Sequence, residues 1–153
     1  MVYAVILAGG RGERFWPMSR RSRPKQLLPV VSERSMLEET VHRISPLIHR
    51  DRTIVVATRL LRQRIAGLLP SLPQRNLLCE PLARNTALAI GHAAALLSRE
   101  HPKAKMVVLP ADHYIEDKSK FLESVRVALE VATNRLLVAF GIVPDRAETG
   151  YGY

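Results

Sequence analysis

The chain has 153 residues, 47% hydrophobic and 24% charged, which suits one soluble globular core and leaves little room for two. Its formal net charge is +9, and the single cysteine, Cys79, excludes an intrachain disulfide and points to a reducing compartment. No apolar run is long enough to cross a bilayer, and residues 2–8 lack the basic flank of a signal peptide, so a cytoplasmic protein with no membrane partner is expected.

The first predicted element is a buried strand over Val2–Leu7. It runs directly into Ala8-Gly9-Gly10-Arg11-Gly12, where three glycines fall in four positions. Without a Cβ, glycine lets backbone N–H groups turn inward and approach an anion closely. Six basic residues (Arg11, Arg14, Arg20, Arg21, Arg23 and Lys25) against one acid (Glu13) give residues 11–25 a local charge of +5. Charge concentrated beside a glycine turn suits a small polyanion and predicts a phosphate-binding loop. The loop is neither of the two best-known phosphate binders. After Gly10 and Gly12, Phe15 stands where a dinucleotide fingerprint needs its third glycine, and no Gly-Lys-Ser/Thr ending marks a Walker loop.

Further on, Ser35-Met36-Leu37-Glu38 has the form of a capping box and opens a helix with Leu37, Val41 and Ile44 on its apolar face, ended by Pro46. A second strand is expected over Thr53–Ala57; it runs out at Thr58 without the acid that would hold a ribose. Leu61, Ile65, Leu68 and Leu69 then repeat at helical spacing up to Pro70. A third strand covers Asn76–Leu78. A helix from about Thr86 to Ser98 follows, with Asn85 as its N-cap. Met106–Leu109 reads as a fourth strand, and a fourth helix carries Phe121, Leu122, Val125, Leu129 and Ala132. Leu136–Phe140 reads as a fifth strand. Alternating strands and helices, with the strands apolar on both faces, predict a Rossmann-like, mainly parallel α/β sheet with helices on both faces.

In such a sheet, ligands lie beyond the carboxyl ends of the strands. The glycine loop, the segment Glu80 to Thr86, Pro110-Ala111-Asp112-His113 and the segment from Gly141 onward all follow predicted strands, so they are expected to converge on one edge. Asp112 reads either as a turn or capping aspartate or as a hard ligand holding Mg²⁺ against phosphate oxygens. His113 reads as a structural hydrogen-bonding residue. Glu80 can accept paired hydrogen bonds from N1 and N2 of guanine, whereas Asn85 and Thr86 can serve simply to close a loop and start a helix.

These residues resemble a known family. The loop through Pro24-Lys25-Gln26 is similar to the signature of sugar-nucleotide pyrophosphorylases, and its Phe15-Trp16-Pro17-Met18-Ser19-Arg20 variant to the mannose-1-phosphate guanylyltransferase branch. Glu80-Pro81-Leu82-Ala83-Arg84-Asn85-Thr86-Ala87, Val108-Leu109-Pro110-Ala111-Asp112-His113, Gly141-Ile142-Val143-Pro144 and Glu148-Thr149-Gly150-Tyr151-Gly152-Tyr153 resemble further segments of that branch, in order along the whole chain. The resemblance implies guanylyl transfer from GTP to mannose 1-phosphate, yielding GDP-mannose and pyrophosphate. It implies Arg14 and Lys25 on the phosphates, and Ala8, Gly9, Gly10, Arg11, Gly12, Glu80, Asn85 and Thr86 around the nucleotide. Asp112 becomes a Mg²⁺ ligand, with Glu148, Gly150 and Tyr151 on the sugar side.

Family members continue well past this last motif and supply a second metal-binding aspartate. Residues 1–153 are therefore expected to be the nucleotide-binding part of one domain, cut within its sugar-binding half and weak or inactive alone. A homo-oligomer is compatible with the reading. Two rivals remain: a relative acting on another sugar or base, and a basic nucleic-acid-binding domain. Against the second stand an aromatic content of 5% and the confinement of charge to one loop.

Overall fold

A computed structural model describes residues 1–10, 15–20, 22–80, 85–133 and 136–147. Four strands, β1 (Val2–Leu7), β2 (Thr53–Thr58), β3 (Leu77–Glu80) and β4 (Lys105–Pro110), form one parallel sheet in the order β3-β2-β1-β4. Four helices, α1 (Met36–Ile44), α2 (Arg62–Leu68), α3 (Asn85–Glu100) and α4 (Lys118–Val131), connect and flank the strands. Leu7 stands opposite Val56 on one side and Pro110 on the other, while Thr58 pairs with Glu80. That register aligns the carboxyl ends of the strands on a common edge.

Strand alternation divides the interior. Ala4 and Ile6 of β1, Val55 and Ala57 of β2, and Val107 and Leu109 of β4 pack with Leu37 and Ile44 of α1, Ile65 of α2 and Val125 of α4. Tyr3, Val5, Ile54 and Val56 face the other way, against Ala89, Ala93 and Leu97 of α3. Both faces of the central strands are thus covered, which is why β1 and β2 read as continuous apolar runs rather than alternating ones. The small side chains of Ala89 and Ala93 let α3 pack close to the sheet.

The predicted capping box forms. Ser35 Oγ accepts from the Glu38 amide at 3.3 Å, and a Glu38 carboxylate oxygen accepts from the Ser35 amide at 2.9 Å. Helix α3 begins at Asn85 itself, so the expected helix start is displaced by one residue; the Asn85 side chain lies outside the description.

One expected element is corrected. Leu136–Phe140 forms no strand: residues 136–147 have no regular structure, and Leu137, Ile142 and Val143 are almost wholly exposed. Val138 and Phe140 instead lie along the outer side of α4, near Val127 and Val131. Apolar, β-prone composition supplies only half of what a strand needs; the other half is a neighbouring backbone to pair with. Here the run pairs with neither edge strand, β3 or β4.

Candidate functional site

The chain steps outward from β1 to β2 to β3 and then returns across the sheet, by way of α3 on the opposite face, to place β4 beside β1. The direction of winding therefore reverses between β1 and β4. In open parallel sheets the ligand crevice opens at the carboxyl side of such a reversal. Ala8–Gly10 leaves the end of β1 there, and Asp112 leaves the end of β4. Backbone bonds carry the ladder just past the strands: the Ala8 amide donates to the Val56 carbonyl at 2.8 Å, and the Ala111 amide to the Leu7 carbonyl at 3.1 Å.

Lys25 joins them from a single 3₁₀ turn, Lys25–Leu27. Its ammonium lies 3.6 Å from an Asp112 carboxylate oxygen and 4.8 Å from the centre of the Phe15 ring. The two side chains are 25% and 44% exposed, so both charges remain within reach of a ligand. The next residue, Gln26, is 4% exposed, and its side-chain amide nitrogen donates to the carbonyls of Ala8 at 2.7 Å and Gly10 at 2.9 Å. With their carbonyls occupied by one donor, Ala8 and Gly10 hold a fixed turn.

Glu80 ends β3, two strands from β1, yet its side chain crosses the edge to the glycine turn. It is only 7% exposed, and a Cβ added at Gly9 would stand 3.0 Å from its Oε2. A side chain at this position would therefore press on the Glu80 carboxylate, which must give by a few tenths of an ångström to admit it. Burial raises the Glu80 carboxyl above its ordinary value, and the nearby His92 pulls it back down.

Three of the four polar segments expected at the edge are thus represented there: Ala8, Gly9 and Gly10; Glu80; and Asp112, with Lys25 among them. The fourth, from Gly141, has no fifth strand to carry it to the edge. Thr86 is exposed in the first turn of α3. Arg11, Gly12, Arg14, Glu148, Gly150 and Tyr151 lie outside the described residues. His113 engages through its backbone carbonyl, which accepts from Arg43 Nη1 at 3.1 Å. The contact that sequence reasoning missed is that of Gln26. It stood in the quoted motif without a role, because its partners are carbonyls sixteen and eighteen residues away. No group of three or more His, Cys, Asp or Glu residues is arranged to hold a metal among the described residues, and no helix there is long and apolar enough to cross a membrane.

A parallel sheet in this order, with a glycine turn, a lysine and two carboxylates at its carboxyl edge, defines a Rossmann-like α/β fold. Residues 3–153 match the family model described as Nucleotidyl transferase, and the chain belongs to that family. It is 44% identical over its whole length to a mannose-1-phosphate guanylyltransferase of Klebsiella pneumoniae. Over 99% of its length it is 45% identical to the xanthan biosynthesis protein XanB of Xanthomonas campestris pv. campestris. In each case it matches 33% of the relative, so the chain spans about a third of the length of these curated proteins. A crystal structure from Thermus thermophilus, described as a mannose-1-phosphate geranyltransferase, superposes with a TM-score of 0.76 at 37% identity, covering 87% of this chain and 38% of that one.

Proposed function

We propose that residues 1–153 are the nucleotide-binding part of a single nucleotidyltransferase domain that transfers a guanylyl group from GTP to mannose 1-phosphate, releasing pyrophosphate and forming GDP-mannose. What carries the reading is the meeting of Lys25, Asp112, the glycine turn and Glu80 at one sheet edge, in a chain whose relatives are named for this reaction.

An oxygen of the sugar phosphate attacks the α-phosphorus of GTP, the bond from that phosphorus to the bridging oxygen of the β-phosphate breaks, and pyrophosphate departs in line. Two anions must be brought together, and no covalent nucleophile is required of the protein. Lys25 exchanges its Asp112 partner for phosphate oxygens, aided by Arg11 and Arg14. Ala8, Gly9 and Gly10 present backbone to the nucleotide, Arg11 and Gly12 continue the loop, and Asn85 and Thr86 approach from the head of α3. Glu80 receives the N1 and N2 donors of guanine; adenine would set an acceptor against it, leaving a buried carboxylate unpaired. Glu148, Gly150 and Tyr151 serve the sugar.

Asp112 fits as a Mg²⁺ ligand. Its carboxylate is a partly exposed hard donor at the crevice, and Mg²⁺ commonly takes one or two carboxylates alongside substrate phosphates rather than an all-protein cage. When bound, the ion neutralises charge on the phosphates.

The test is calorimetric titration of the chain with GTP and ATP, for wild type and Glu80→Gln, together with pyrophosphate release in the presence of mannose 1-phosphate. Preference for GTP that falls in Glu80→Gln supports the reading. Equal binding of GTP and ATP by the wild type refutes it.

A further inference from the structure

Arg43, near the end of α1, is 5% exposed, an expensive position for a guanidinium. No ion pair compensates it among the described residues. Glu39, whose charge acts on it along the helix, is itself paired with Lys118 at 3.3 Å. Burial accordingly pulls Arg43 below its ordinary value, with Glu39 pulling the other way. The guanidinium instead donates Nη1 to the His113 carbonyl at 3.1 Å and Nη2 to Thr40 Oγ1 at 3.0 Å, and lies 5.4 Å from the centre of the Phe121 ring. Thr40, fully buried, is held in turn by its hydroxyl's bond to the Met36 carbonyl at 2.9 Å, and the Arg43 Nε has no partner. A cation retained inside at this cost, with one arm on a backbone carbonyl and the other braced by Thr40, points to that carbonyl.

The carbonyl belongs to the residue after Asp112. On the other side of Asp112, the Ala111 amide is fixed to the Leu7 carbonyl at 3.1 Å. Asp112 therefore sits between two anchored neighbours, one tied to the sheet and the other to α1. Its own side chain, 44% exposed, is not held by burial. We infer that Arg43 is a positioning residue for Asp112: through the His113 carbonyl it fixes the direction in which the carboxylate meets a divalent cation on the nucleotide phosphates. This rests on the reading of Asp112 as a metal ligand. Outer groups that orient a ligand without touching the metal typically change metal affinity by 10–100-fold when removed.

The experiment measures the affinity of the chain for GTP with saturating Mg²⁺ and again with EDTA; the ratio reports the metal-linked gain without requiring turnover. Arg43→Lys keeps the charge but cannot span both partners, and Thr40→Val removes the brace at nearly constant volume. The expected result is a ratio reduced by about tenfold in Arg43→Lys and in the same direction in Thr40→Val, with the EDTA affinity unchanged. Asp112→Asn should bring the ratio towards one. A merely structural role would lower the melting temperature, or both affinities together, and leave the ratio alone. Wild-type ratios in Arg43→Lys and Thr40→Val, with Asp112→Asn impaired, overturn the inference and leave the metal reading standing. A wild-type ratio of one, or an Asp112→Asn ratio equal to wild type, overturns the metal reading and the inference with it.

Discussion

Replacing Gln26 by Leu keeps the volume and removes the donor that holds the glycine turn. Two hydrogen bonds are lost, at 2.7 Å to Ala8 and 2.9 Å to Gly10. Each neutral bond contributes about 1 kcal/mol net. The two carbonyls are not equivalent, because Gly10 is exposed and its oxygen can turn to water, whereas Ala8 is 1% exposed. Leaving a buried acceptor without a donor adds about 1 kcal/mol or more, so the substitution should cost roughly 2–3 kcal/mol in all. For a domain of this size that is a fall in Tm of about 5–10 °C. Because Lys25 is the neighbouring residue in the same turn, the loss should also let its ammonium move from the crevice and weaken GTP binding. Gln26→Glu should be worse than Leu, since it sets a carboxylate against two carbonyl oxygens. Thermal melts and GTP titrations of the three proteins decide the matter. A Gln26→Leu variant that melts with the wild type and binds GTP equally well would refute the claim that this amide holds the loop.

Gly9→Ala should leave stability nearly unchanged, since among the described residues the close contact is the far end of the Glu80 side chain at 3.0 Å, but it should displace that carboxylate and reduce preference for GTP over ATP in competitive binding. Glu80→Gln tests the cost of the buried acid. With its folded value raised, Glu80 contributes stability that is full below the ordinary 4.5 and is lost as pH rises through the raised value. The urea midpoint of Glu80→Gln should therefore gain on wild type as pH rises from below 4.5 through the raised value, and a constant difference would remove the argument. Lys25→Ala breaks a half-exposed pair with Asp112, which should cost less than about 1 kcal/mol of stability while weakening GTP binding well beyond that; equal losses in melting and binding would assign Lys25 to folding alone.

The parts of the molecule that could be read from residue order share a cause. β1 and β2 are covered on both faces and so announce themselves as unbroken apolar runs, and the Ser35 capping box is complete within four residues. Glu80 and Asp112 could be singled out because a carboxylate just past an apolar run is conspicuous and the polarity of a parallel sheet sends strand ends to one edge. Leu136–Phe140 has the same local appearance as the true strands. It differs only in lacking a paired neighbour, which composition cannot show.

Gln26 and Arg43 escaped for another reason. Arg43 sits in the last turn of α1, where a cation ordinarily faces solvent and complements the helix dipole. Gln26 is an uncharged amide in a short turn. Both act on backbone carbonyls, and every residue carries a carbonyl, so nothing in the order of side chains marks the ones that need a donor. Charge can be read from sequence one residue at a time, but orientation depends on atoms that all residues share. The groups suited to meeting phosphate were therefore visible before the fold was known. Those that hold the glycine turn and the loop after Asp112 became visible only when carbonyls from distant segments had been placed beside them.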